Sequence, residues 1–327
     1  MPSTIRVYII IFNLFCFLGS AFKSIGQNHP LKLSEESQIS VITFGPYQGK
    51  LWSAFGHNGI RVYDPQLDID WMYDWGRFDF EQANFFWNFA RGKMLYSIGR
   101  TQEYPSVKSY YIKQNRSIKE QVLNLSWAQN QAFFNYLEHN NLPENRTYLY
   151  NYVYDNCATK IRDIIQKVVP ASTLDLSFKV PKKSVRDLMD DYLSDQPWGD
   201  FIIDIALAHP IDNEATADTY LFLPDYVHLA LEGGTIENDT SNLPLIKASI
   251  SIHEEKIKKS SQSTFTPFNL FVLLFFIIGF FTNRDFKNKK RTQWIDICLF
   301  SIVGLFGWWF TFLWTATSHL SVYNWHL

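Results

Sequence analysis

Two long apolar runs near the C-terminus constrain this chain more than any other feature. Phe265 to Phe281 is polar only at Thr266, Pro267 and Asn269, and Trp294 to Trp314 carries Asp296 as its one charge. Each is close to the roughly 20 residues that a helix needs to cross a bilayer. Residues 265–282 and 293–315 are therefore expected as transmembrane helices. The loop between them, 283–292, holds Arg284, Lys287, Lys289, Lys290 and Arg291 against a single acidic residue, Asp285. Short basic loops stay in the cytoplasm, which puts the chain before the first span and the tail 316–327 on the periplasmic side of the inner membrane.

The N-terminus gives the same orientation. Arg6 precedes an apolar run from Val7 to Leu18, broken by Asn13 and followed by Gly19, Ser20 and Ala21. That is the pattern of an export signal peptide, assigned to 1–27, with cleavage after Ala21 or after Gly26. What remains is one periplasmic domain, 28–259, and a Ser-rich tether, 260–264. Of the 30 basic and 32 acidic residues, seven basic and two acidic fall in the signal peptide and the membrane hairpin, so the exported region is acidic. It has no dense basic patch, which argues against a nucleic-acid partner. The chain has no dinucleotide fingerprint, phosphate loop or paired His/Cys ligand spacing, so neither a cofactor nor a metal is expected.

Cysteine usage then singles out one residue. Cys16 lies in the signal peptide and Cys298 in the second span, which leaves Cys157 without a partner in a compartment where disulfides form. Most lone cysteines are buried, inert thiols, but the setting of this one argues for reactivity. Asp155 and Asn156 are N-cap types, and Ala158, Ile161, Ile164 or Ile165 and Val168 recur at helical spacing. Cys157 is thus expected in the first turn of an amphipathic helix, where the helix dipole favours the thiolate.

Around that helix the chain alternates strands and helices. Strands are expected at 38–44, 59–63, 69–73, 94–98 and 118–125. Helices are expected after the capping box of Ser126 and Gln129, at 184–192, at 201–207 and from Pro224 to Gly233. The aromatic stretch from Phe78 to Phe89 is expected as core or as lipid-facing surface. A thiol nucleophile needs a base, and among eight histidines His57 stands apart. It lies between Gly56 and Gly59 at the start of a strand that can lie against the cysteine helix. Asp74, on the following strand, is the first choice to orient the imidazole, with Asp64 and Arg61 as competitors.

These residues also carry a resemblance. Phe55-Gly56-His57-Asn58-Gly59-Ile60-Arg61-Val62, Tyr73-Asp74-Trp75-Gly76-Arg77-Phe78-Asp79-Phe80, Pro143-Glu144-Asn145 and the run from Tyr152 to Asp163 resemble the Lnb-type family. Its members are bacterial inner-membrane proteins associated with lipoprotein N-acylation, and the resemblance spans nearly the whole exported region. The order, histidine first and an Asn-Cys helix later, is similar to circularly permuted papain-like enzymes such as the lecithin-retinol acyltransferase group. The resemblance implies an α+β, papain-like (circularly permuted) exported domain followed by two C-terminal transmembrane helices. It also implies an acyl chain taken from a phospholipid donor as a thioester on Cys157, with His57 as base, and delivered to the N-terminal amine of a lipoprotein acceptor. Asp74 stands where the family more often has Asn. Asn156, Tyr154 and Arg61 are expected at the substrate, and so is His319, in a tail whose Thr317-Ser318-His319 and Tyr323-Asn324-Trp325-His326-Leu327 resemble the family's outward-facing motif. The family usually continues from there into further membrane helices. Two rival readings are a cell-wall cysteine peptidase or amidase of the NlpC type and a non-catalytic membrane scaffold.

Overall fold

The computed structural model describes residues 31–178, 182–238, 241–256 and 265–319. The signal peptide, the tether 260–264 and the tail beyond His319, with Asn324, lie outside the described residues.

The strands are β1 (Gln38–Phe44), β2 (His57–Asp64), β3 (Ile69–Arg77), β4 (Leu95–Thr101), β5 (Ile118–Leu123), β6 (Thr147–Leu149), β7 (Ser172–Thr173), β8 (Thr235–Asn238), β9 (Ser241–Pro244) and β10 (Ile246–His253). The helices are α1 (Phe85–Ala90), α2 (Tyr104–Lys113), α3 (Trp127–Asn140), α4 (Cys157–Val168), α5 (Val185–Leu193), α6 (Pro197–Ala206), α7 (Ala217–Tyr220), α8 (Pro224–Glu232), α9 (Pro267–Asn288) and α10 (Gln293–Ala316). Seven strands make one antiparallel sheet in the order β10-β5-β1-β2-β3-β4-β6, and β7, β8 and β9 make a small second sheet. The α+β reading holds.

Period-two alternation puts different chemistry on the two faces of the large sheet. Ile39 and Val41 of β1, Ile60 and Val62 of β2 and Tyr73 of β3 face a core with Phe133 of α3, Ile161 and Ile165 of α4 and Val227 of α8. Ile42 and Phe44 of β1 and Met72 of β3 face the other way, where Tyr104, Val107 and Tyr111 of α2 cover them. Helix α2 was not anticipated: its few buried residues leave no strong amphipathic stripe. The edge strand β10 was missed too, because its side chains are largely exposed and it is held by pairing with β5.

The two C-terminal helices have 22 and 24 residues with mean hydropathies of 1.5 and 1.8, long and apolar enough to cross a membrane. Helix α9 runs on past its apolar stretch to Asn288, where Lys289 turns the chain at φ 46°. Asp285 accepts from the main-chain N–H and the hydroxyl of Thr292 and so closes the hairpin. Cys298 faces outward from the second helix. The outer ends of both helices are seated on the domain. Leu313, with Phe310 and Trp314, packs into a cluster that includes Val153, Phe222 and Leu223. The Trp198 Nε1–H of α6 donates to the Phe265 carbonyl at 2.9 Å, and Phe201 meets Phe271 at 5.5 Å.

Candidate active site

The site begins where two strands part. β2 and β3 pair from Ile69–Asp64 only as far as Asp74–Gly59, whereas β3 continues to Arg77. Beyond that point Asn58 presents its main-chain N–H to the Cys157 sulfur instead of to a strand. Gly56, at φ +84°, makes the turn into β2; a Cβ there would stand 2.8 Å from the Phe44 carbonyl oxygen. Glycine takes that conformation without strain, and the space leaves no room for a side chain. His57 consequently starts β2 beside Phe44, on the α2 face, while α4 covers the opposite face and brings its first residue to the strand end.

His57 hydrogen-bonds through Nε2 to Asp74 Oδ2 at 3.1 Å, with side chains 18% and 17% exposed, which leaves Nδ1 for the thiol. Asp74 is fixed in turn by Arg77, whose Nε donates to Oδ1 at 2.6 Å while Nη2 reaches Thr101 Oγ1 at 2.8 Å. The Arg77 chain crosses the face of Gly99, where a Cβ would come within 2.5 Å of its Cδ. An irregularity between Asp74 and Arg77 in the β3–β4 ladder, with Gly76 at φ +92°, aims both side chains to the same face.

The electrostatics run in one direction. Burial raises the Cys157 thiol, but the charge on His57, its hydrogen bond and the Asn58 N–H outweigh this and hold it below the ordinary value. Burial also works against a charged His57, yet Tyr111, the Cys157 sulfur and Asp74 push the ring well above its usual value. Tyr111 is itself raised by burial and so uncharged near neutral pH, which leaves the sulfur and the carboxylate as the partners that matter. Asp74 stays low because His57 and Arg77 overcome its burial. A thiolate–imidazolium pair backed by a carboxylate is the arrangement of an activated cysteine nucleophile.

The helix start is equally determined. Asn156 Oδ1 accepts from the N–H groups of Ala158 at 2.8 Å and Thr159 at 3.0 Å, and Nδ2 donates to the carbonyls of Tyr152 and Phe222, both at 2.8 Å. Those four bonds occupy the amide, so Asn156 positions Cys157 and has no side-chain polar group left to offer. Tyr154 is exposed on the turn before the helix. Arg61, four residues from His57, is engaged by both oxygens of Asp70 and by Glu120 under the ring of Tyr104, away from the thiol. Asp64, at the far end of β2, accepts from the Ser34 N–H and hydroxyl. His319 is tied to the carbonyls of Phe89 and Ala90 behind α1, and its pKa is lowered by burial. The structure therefore joins Cys157, His57 and Asp74, and keeps Arg61 and His319 apart from them.

Three contributors escaped the sequence reading. Arg77 sits in the quoted Trp-Gly-Arg run, and its parity with Asp74 emerges only with the bulge. Tyr111 belongs to the unanticipated α2. Tyr150, stacked on Tyr96 at 4.4 Å, lies close enough for the charge on Cys157 to raise its phenol. Elsewhere, Asp190, Asp200 and Asp204 form a carboxylate group on α5 and α6 beside Arg186, and burial with Asp200 pushes Asp190 up to about 6. It is remote in sequence and in contacts from the thiol.

Comparison with known proteins gives two family matches. The Lnb N-terminal periplasmic domain matches residues 29–191, and the Lnb transmembrane domain matches residues 258–327. No curated protein matches the chain. Among solved structures, a type VI secretion system effector, TseH, aligns over 49% of this chain and 90% of its own at 14% identity and a TM-score of 0.29, too slight a likeness to support any argument.

Proposed function

This chain belongs to the Lnb family, and from that premise we propose that it is a cysteine acyltransferase of the inner membrane, moving an acyl chain from phospholipid to the N-terminal amine of a lipoprotein. The observation that carries this reading is the line Cys157–His57–Asp74, with its depressed thiol, in a domain whose turn before α4, at Tyr152 and Val153, shares a cluster with Leu313 of α10. In the first half-reaction the Cys157 thiolate attacks the ester carbonyl. The C–O bond to the glycerol breaks as His57 gives its proton to the departing alkoxide, leaving a thioester and a lysophospholipid. In the second, the amine attacks the thioester, His57 takes the proton released, and the thiolate leaves as the amide forms. In this reading the N–H of Cys157, in the first turn of α4 where the helix itself supplies no acceptor, is the donor to the tetrahedral oxyanion.

Location supports the substrate class. Both donor and acceptor are lipids, and a thiol fixed at the membrane surface meets them at high effective concentration. Full-length protein in vesicles with acyl-labelled phospholipid should accumulate label on Cys157 as a hydroxylamine-sensitive thioester, lost in Cys157→Ala. Absence of any lipid adduct under turnover, together with cleavage of a wall peptide, would replace this reading with the NlpC-type hydrolase.

A further inference from the structure

Helix α1 and the turn before it expose a cluster of large rings. Phe86 is 73% and Trp87 57% exposed, and Phe80 and Phe89 are open beside them. Contiguous apolar surface of this kind on a water-facing domain marks a contact with a protein or a membrane. Here the surface continues a membrane helix. Trp87 stacks on Phe312 of α10 at 6.0 Å, the Ser318 N–H donates to the Arg91 carbonyl at 2.8 Å, and Gly92 lies so close that a Cβ would stand 2.6 Å from the His319 nitrogen. Phe312 precedes the end of α10 at Ala316 by four residues, about 6 Å along the axis at a 1.5 Å rise. Trp87 is thereby set at the depth of the last turn of a span, where tryptophan is favoured at the membrane–water boundary. Trp198 packs on Phe265, two residues before the start of α9. Arg91 lies over the Trp87 ring at 5.8 Å, within reach of headgroups.

Behind this patch the rings continue inward. Phe80 meets Phe85 and Phe78, each at 5.0 Å; Phe78 meets Tyr96 at 5.1 Å; and Tyr96 stacks on Tyr150. Burial pushes the Tyr96 phenol up to about 12 and holds the Tyr150 phenol well above its ordinary value, so both are neutral throughout the physiological range. The rings thus form an uncharged path between the exposed patch and the cysteine.

We propose that α1 and the Phe78–Phe80 turn form a lip immersed in the periplasmic leaflet, and that the rings of Phe78, Tyr96 and Tyr150 behind it guide an acyl chain from the bilayer to Cys157. The lip stands on the packing alone, whereas the acyl path rests on the acyltransferase reading above. Two measurements separate them. In the first, Phe86→Cys carries a polarity-sensitive fluorophore on a background of Cys16→Ser, Cys157→Ser and Cys298→Ser, in phosphatidylethanolamine/phosphatidylglycerol vesicles, with Ser249→Cys on β10 as the exposed reference. Label at position 86 is expected to shift to the blue and to be quenched by shallow spin-labelled lipid, while label at 249 is not; water-like, unquenched emission at 86 would overturn the lip. In the second, Phe80→Asp/Phe86→Asp is expected to lower lipid-thioester formation on Cys157 at least tenfold while iodoacetamide alkylates the thiol at the wild-type rate. Thioester formation at the wild-type rate would overturn the path. A wild type that forms no thioester at all would remove both the path and the acyltransferase reading, and leave the lip to the fluorescence result.

Discussion

Replacing Asn156 with alanine tests whether this residue builds the site or binds substrate. The substitution deletes the α4 cap, worth about 1–2 kcal/mol, and strands the carbonyls of Tyr152 and Phe222. Each buried acceptor left unpaired adds about 1–3 kcal/mol, and relaxation of the turn recovers part of that, for a total near 3–5 kcal/mol. In a domain of this size each kcal/mol moves the melting temperature by about 2–4 °C, so a fall of roughly 6–20 °C is expected. Asn156→Ser keeps a cap oxygen and loses only the two carbonyl bonds, so it should melt between the two. Asn156→Asp keeps the cap as well but turns a carboxylate oxygen towards two carbonyls, and should melt no higher than the serine variant. Thermal unfolding of the full-length protein in detergent, followed in parallel with alkylation of Cys157, reads both stability and thiol geometry. An alanine variant that melts within 2 °C of wild type but has lost transfer activity would refute the structural role and place the amide on substrate.

Three further outcomes follow from the same geometry. Because Cys157 is lowered and His57 raised, alkylation should stay fast at pH values where an ordinary thiol is protonated, fading as pH falls through the lowered cysteine value. His57→Gln removes the cation, leaves burial opposed only by the Asn58 N–H and should move the profile above that of free cysteine; superimposable profiles would end the ion-pair assignment. Gly99→Val should drive Arg77 off Asp74 and, losing one charge-assisted bond of about 1.5 kcal/mol, slow thioester formation roughly tenfold with little change in melting. Wild-type kinetics would show that Arg77 is dispensable. Arg61→Met should cost about 3 kcal/mol by leaving Glu120 and Asp70 without their cation, yet leave the alkylation profile of Cys157 in place. A shifted profile would tie Arg61 to the thiol.

What could be read beforehand was local. The spans announce themselves by apolar length, and α4 by a cap residue followed by Ala158, Ile161 and Ile165 at helical spacing. His57 stood out because two glycines flank a strand start. The relation of His57 to Asp74 rests in the sequence on two successive strands being adjacent, and the β2–β3 pairing makes it a 3.1 Å contact. Arg61 is a competitor to the first choice, Asp74, on sequence alone, and only the fold shows it engaged by Asp70 and Glu120, from a neighbouring and a more distant strand. The hold of Arg77 on Asp74 depends on a bulge and on empty space over Gly99, neither of which leaves a periodic trace. Helix α2 carries Tyr111 to the site with too few buried residues to register as amphipathic. The ring path from Phe80 to Tyr150 joins three separate stretches of chain, and such an assembly exists only once the sheet is folded.

The seating of Leu313 against Val153 and Leu223 has one more consequence. It makes the spans a pedestal, so that the sulfur stands at a set height over the lipid plane and cannot swing away on a leash. On the acyltransferase reading proposed above, partners arrive by sideways travel in two dimensions, already anchored, and their reactive groups have to lie within a narrow band above the surface. For such partners the pedestal works as a ruler, and length of reach becomes a criterion of choice.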